Sequence, residues 1–178
     1  MAESKERSPL LVLAGVVLVA TLLSVWIRSG ANAEKRGGLE PGNRMPPVAA
    51  YAWLNGPAPT AESLQGKVLV IDAWATWCVP CRMAAPELVA LHKKFSERGV
   101  VFIGLTAEGP DDLPEIQSFL SSTGITWLNG YGARNTLIDL KADYIPGMWV
   151  VDKSGTITWN RDSGESIEEA IEKALASK

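Results

Sequence analysis

The chain has 178 residues, 47% of them hydrophobic, which is enough for one packed core plus an appendage. Its net charge is −3 and its isoelectric point about 5.3, without a Lys/Arg cluster, which argues against a nucleic-acid surface. Two cysteines are too few for a disulfide-stapled scaffold, and with a single histidine they cannot complete a four-ligand zinc site, so a redox pair or a metal site shared between chains remains.

After a tail over residues 1–9, the run from Leu10 to Ile27 carries no charge and is bracketed by Arg7 and Arg28. As a helix it would measure about 27 Å, enough for a slightly thin hydrocarbon core. Residues 10–27 are therefore expected to be a transmembrane signal anchor, with Trp26 at the interface. Ala31-Asn32-Ala33 also fits a signal-peptidase site, so cleavage after Ala33 is the alternative. The signal-like character, not the charge bias, places the remainder outside the cytoplasm. Residues 28–44, rich in glycine and charge, read as a flexible linker, and a folded domain is expected over 45–178.

Within that domain, Val48 to Leu54 reads as an edge strand closed by Asn55-Gly56, and Ser63 to Lys67 as a turn. Val68 to Trp74 is a continuous apolar run of the kind buried in a parallel or mixed sheet. Ala84, Leu88, Leu91 and Phe95 then recur at helical spacing, with His92 assigned to the polar face, and Pro86 is expected to kink or divide this helix. Val100 to Thr106 is a second buried-type strand, and Gly109 to Asp112 lead into a helix through Ile116, Phe119 and Leu120. Between Gly124 and Tyr144 the signals weaken, with a short strand at Thr126 to Leu128 and a short helix at Arg134 to Lys141. Met148 to Asp152 and Thr156 to Trp159 flank Lys153-Ser154-Gly155 as a hairpin, and Ser166 caps a last amphipathic helix. This order predicts an α/β fold with parallel central strands.

Both cysteines sit at a strand-to-helix junction, spaced Cys78-Val79-Pro80-Cys81. A thiol attacks a disulfide only as thiolate, so the attacking cysteine needs a lowered pKa and an exposed sulfur. At a helix start, unpaired N–H groups and the helix dipole favour negative charge on Cys78, and Cys81 lies one turn on, placed to resolve a mixed disulfide. Pro80 fits the first turn because its missing N–H would find no partner there. Asp72 interrupts the preceding apolar strand and is a candidate proton acceptor for Cys81, unless it is solvated or paired at the strand end. Trp77, beside the thiol, is a candidate docking residue, while Trp53, Trp127, Trp149 and Trp159 are assigned to packing.

The string from Val70 to Pro86, Val-Ile-Asp-Ala-Trp-Ala-Thr-Trp-Cys-Val-Pro-Cys-Arg-Met-Ala-Ala-Pro, resembles the active-site strand, loop and helix start of the thioredoxin superfamily, specifically its membrane-anchored TlpA/ResA-like, cytochrome c maturation type. The resemblance extends more loosely from about Gly42 to the C-terminus. It implies a thioredoxin fold, a mixed central sheet flanked by helices on both faces, here with an N-terminal extension strand and a membrane anchor. It further implies Cys78 as nucleophile, Cys81 as resolving thiol and Asp72 as buried acid, with Trp77, Val79, Pro80, Ile145 and Pro146 at the substrate surface. Tyr144 to Asp152 matches the segment where the family places a cis-proline, which would offer the Ile145 backbone to an extended substrate. Ala84 stands where many TlpA-like chains carry glutamate, and the lysine that cytoplasmic thioredoxins set beside the aspartate has no counterpart between Val100 and Thr106.

These readings predict a membrane-tethered, periplasmic thiol-disulfide oxidoreductase that reduces exported proteins with its Cys78/Cys81 dithiol. It would need no bound cofactor or metal, would take electrons from a membrane donor, and would not bind nucleic acid. An oxidase or isomerase, or a metal- or haem-delivery module using the cysteine pair as ligands, are the alternatives.

Overall fold

The computed structural model describes residues 37–177, together with residues 15, 17–21 and 24. The latter belong to a separate unit, Met1–Lys35, in which the hydroxyls of Thr21 and Ser24 donate to carbonyls three residues earlier. The expected anchor at 10–27 lies largely outside the described residues, and the cleavage alternative at Ala33 lies wholly outside them. Among the described residues, no helix is long and apolar enough to cross a membrane.

The second unit, Arg36–Lys178, is built on a six-stranded mixed sheet. Its strands are β1 (Ala52–Leu54), β2 (Val68–Ala73), β3 (Val100–Leu105), β4 (Leu128–Tyr131), β5 (Gly147–Val151) and β6 (Ile157–Asn160), in the order β1-β4-β3-β2-β5-β6. β2, β3 and β4 run parallel, whereas β1, β5 and β6 pair antiparallel to their neighbours. Five α-helices complete it: α1 (Ala61–Leu64), α2 (Val79–Phe95), α3 (Leu113–Thr123), α4 (Arg134–Asp139) and α5 (Ile167–Ala176).

Every residue of β2 is buried, the signature of a central strand covered on both faces. Val68 and Val70 point into a cluster with Leu88 and Phe95 of α2, Ile116 and Phe119 of α3, and Ile171 of α5. Leu69, Ile71 and Ala73 point the other way, against Trp149, Ile157 and Leu140, with Leu64 of α1 and Leu137 of α4 at the margin. Full burial of side chains such as Ile71 or Phe95 is worth about 1.5–3 kcal/mol each.

Several boundaries differ from the expectations. Residues 37–44, assigned to the linker, are strapped to the domain: Leu39 N–H donates to Leu140 O (2.7 Å), Gly42 N–H to Ile157 O (2.8 Å), and Leu39 O accepts from Trp149 Nε1 (3.2 Å). Glycine and charge mimic a tether, yet here Gly38 supplies a positive φ and the close approach to Trp149 that lets the strap lie flat. Only Ala52–Leu54 of the first apolar run is strand, and Ser63 and Leu64 of the expected turn end a helical turn, α1, that opens on a capping box between Thr60 and Ser63. β4 lies at Leu128–Tyr131 rather than Thr126 to Leu128, because its Asn129-Gly130 pair, locally a turn signal, is fixed by pairing with β3 and β1.

α2 runs undivided through Pro86, which is exposed, so the Arg82 carbonyl that loses its partner stays on the exposed side. Its buried stripe is Cys81, Ala85, Leu88, Leu91 and Phe95, with Ala84 only half-buried. His92 completes the i, i+4, i+7 spacing of that stripe. It is half-buried, with its ring 5.2 Å from those of Phe102 and Trp127, and is not the surface residue expected. Burial lowers its pKa.

Candidate active site

The C-terminal end of β2 brings the proposed site residues together. Ala73 pairs with Gly147, so the Ile145-Pro146 segment entering β5 lies beside the loop Trp74–Trp77 leaving β2. The Ile145-Pro146 peptide bond is cis, and both residues are half-buried.

Cys78 is the N-cap of α2, with Val79 and Pro80 its first two helical residues. Its Sγ accepts the backbone N–H of Cys81 (3.1 Å), and its own N–H donates to Ala75 O (3.1 Å). Cys78 and Cys81 are joined by a disulfide, with Cα atoms 5.3 Å apart. An N-cap side chain that already receives a helix N–H is the geometry that stabilises negative charge on that atom.

One expectation fails: Cys78 was to present an exposed sulfur, but the residue is 3% exposed and Cys81 5%. In the bonded form both cysteines join the cluster that contains Trp74, Ala85 and Met148. What faces solvent is their apolar surroundings, Trp77, Val79 and Met83, each more than two-thirds exposed.

Asp72 is buried (5% exposed) in the middle of the sheet, not solvated at a strand end. It pairs with Gly104 on β3 and Met148 on β5. Alternation along β2 puts it with Val70 and Trp74 on the face that also holds the cysteines. Desolvation raises its pKa to about 7, opposed by the charge of Arg161 just beyond β6.

The loop itself is held by residues that sequence reasoning missed. Trp74 Nε1 donates to Asn129 Oδ1 (3.0 Å), and its ring stacks on Phe119 with centroids 4.3 Å apart. Gly104 makes this possible, since a Cβ there would collide with the Asn129 side chain. The Arg82 guanidinium lies over the Phe119 ring, 4.7 Å from its centroid, and donates to Ser122 Oγ. Glu108 accepts from both the N–H and the hydroxyl of Thr76. The only sequence signal for these was the polar Thr106-Ala107-Glu108 at the end of an apolar strand.

Between Trp77 and Ile145 opens a groove of about 320 Å³, floored by Ala75, Glu108, Leu137 and Ile138. A larger hollow of about 660 Å³ lies at the opposite end of the sheet, between Arg44 to Val48, α1 and the β5–β6 turn, remote from the disulfide. Among the described residues no group of three or more His, Cys, Asp or Glu side chains is placed to hold a metal ion.

The sequence matches the redoxin family profile over residues 40–175. The chain belongs to the redoxin family. This redoxin is 29% identical over 178 residues to the thiol:disulfide interchange protein HelX of Rhodobacter capsulatus, covering 98% of the chain and 95% of HelX. It is 27% identical over 123 residues to the thiol-disulfide oxidoreductase ResA of Bacillus thuringiensis, covering 68% and 69% of the two. The thioredoxin domain of a thiol-disulfide oxidoreductase from Bacteroides vulgatus shares the fold, with a TM-score of 0.66 at 19% identity over 77% of this chain and 99% of that one. With a Cys-x-x-Cys disulfide at the start of α2, this redoxin is a thiol-disulfide oxidoreductase.

Proposed function

We propose that the protein is a membrane-tethered, extracytoplasmic oxidoreductase that reduces disulfides in exported proteins with its Cys78/Cys81 dithiol. The observation that carries the reaction is the N-cap position of Cys78, whose sulfur accepts the Cys81 N–H. In the reduced protein the Cys78 thiolate attacks a substrate disulfide, displacing one substrate thiolate and leaving a mixed disulfide. Cys81 then gives its proton to the Asp72 carboxylate and attacks Cys78 Sγ. The substrate leaves as a dithiol, two electrons richer, and the Cys78–Cys81 disulfide forms. A membrane electron donor returns those two electrons, and no bound cofactor enters the cycle.

Exposed Trp77, Val79 and Pro80 on one side, and Ile145 and Pro146 on the other, form the substrate surface, with the Ile145 backbone offered to an extended segment. The uncharged run at 10–27 supports the tether, with cleavage after Ala33 as the alternative, and its signal-like character supports the extracytoplasmic side. The TlpA/ResA-like resemblance supports a place in cytochrome c maturation.

Insulin reduction by the protein tests the activity. Cys78→Ser is expected to abolish it, and activity that survives would overturn the assignment. A reduction potential of about −120 mV would overturn the reducing direction. Cys81→Ser is expected to accumulate a mixed disulfide that identifies the substrate directly.

A further inference from the structure

The loop that carries Cys78 is fixed at two points. Its first residue, Trp74, is tied through Asn129 and Phe119, and its third, Thr76, by one acidic side chain. Glu108 Oε2 accepts from the Thr76 N–H (2.9 Å) and from Thr106 Oγ1 (2.9 Å), while Oε1 accepts from Thr76 Oγ1. The backbone of Glu108 is itself anchored, since its N–H donates to Thr106 Oγ1 (3.2 Å) and its carbonyl accepts from Gly132 N–H (2.6 Å). Thr106 is fully buried, and its N–H and carbonyl bond Gly130 O and Ala133 N. A single carboxylate thus fastens the segment two residues before Cys78 to the C-terminal ends of β3 and β4.

In the oxidised protein the Cys78–Cys81 bond holds the two residues together by covalent geometry. Reduction breaks that bond, and the N-cap geometry of Cys78 then rests on the Arg82 N–H bond to its carbonyl (3.2 Å), on its own N–H bond to Ala75 O (3.1 Å) and on how the loop before it is held. We propose that Glu108 is a positioning residue for thiol exchange: acting through Thr76, it keeps the reduced Cys78 sulfur at the N-cap of α2, where the Cys81 N–H can stabilise the thiolate. This rests on the reading of Cys78 as the nucleophile.

The titratable and charged groups around Cys78 are Cys81 and Arg82 of α2, Asp72 of β2 and Glu108. β5 contributes apolar Met148, and the segment before it contributes Ile145. The sign of the effect separates positioning from simple charge. Removing a nearby negative charge would lower the Cys78 pKa, whereas loss of the N-cap hydrogen bond raises it.

The test is the pH dependence of iodoacetamide alkylation of Cys78 in the full chain carrying Cys81→Ser, which retains the residue-81 N–H. Adding Glu108→Ala is expected to move the midpoint up by about one pH unit, so that alkylation at pH values below the parent midpoint slows about tenfold. Glu108→Gln, which keeps an acceptor for the Thr76 N–H, is expected to restore part of that loss. If Glu108→Ala does not fold, Thr76→Val, which removes only the hydroxyl donor, is expected to give a smaller upward shift. A lowered parent midpoint that these variants leave unchanged, or move down, overturns the proposal for Glu108 alone. A parent midpoint already at the ordinary thiol value overturns the nucleophile reading and this proposal with it.

Discussion

Asp72 combines the proposed proton-acceptor role with the stability of the fold, and Asp72→Asn separates them. Burial raises its pKa from 3.8 in an unfolded chain to about 7. Between those values the folded protein binds a proton that the unfolded chain does not, so stability falls as pH rises. The contribution is fully present below pH 4, declines through the window and is gone above about pH 7. A shift of roughly three units corresponds to about 4 kcal/mol over the whole window, of which about 3 kcal/mol falls between pH 5 and 8. His92 acts in the opposite sense, since its lowered pKa makes stability fall on acidification below about 6.5. Subtracting the Asp72→Asn profile from that of the wild type removes the histidine and leaves Asp72. Urea unfolding of the oxidised protein at pH 5, 6, 7 and 8 measures both profiles. The variant is expected to gain on the wild type by about 3 kcal/mol across that range. A difference constant to within about 0.5 kcal/mol would show that Asp72 does not titrate there and would remove it as the acceptor of the Cys81 proton.

Gly38→Ala tests the strap. Its φ is +75° and a Cβ would lie 2.5 Å from the Trp149 ring, so a loss of about 2–4 kcal/mol is expected by chemical denaturation. An unchanged midpoint would mean that residues 37–44 do not belong to the folded unit. Asn129→Leu leaves the buried Trp74 N–H without its acceptor and is expected to cost about 1–3 kcal/mol, with broadened tryptophan fluorescence as a second readout. His92→Leu is expected to flatten the acid limb of the stability profile below pH 6.5, read from the same urea series. Arg161→Gln removes the charge that opposes desolvation at Asp72, so the inflection in the Asp72-dependent profile is expected to move to higher pH.

The parts of this molecule readable from sequence are those set by local physics. A largely apolar, β-branched-rich run broken only by Asp72 gave β2 its central place, period 3.6 gave α2, α3 and α5, and Ser166 marked the cap of the last helix. The Cys78 N-cap followed from a helix start abutting a strand. Where long-range register overrides local preference, the sequence misled: the strand expected at Thr126 to Leu128 lies at Leu128–Tyr131, because pairing with β3 and β1 draws Asn129-Gly130 into it, and Gly104 is the gap that admits the Asn129 side chain. His92 was misassigned because its polarity outweighed its position on the stripe, although Phe102 and Trp127 accept its ring there. The hold of Glu108 on Thr76 spans 32 residues, and the strap from Leu39 to Trp149 spans 110, distances over which no periodicity or cap signal reports. The sequence by itself therefore determined the Cys78/Cys81 pair and its place at a helix start. Only the tertiary structure decided that the bonded cysteines are buried, that Asp72 is enclosed in the sheet, and what holds the loop in front of Cys78, because each of these depends on which distant strand ends come together.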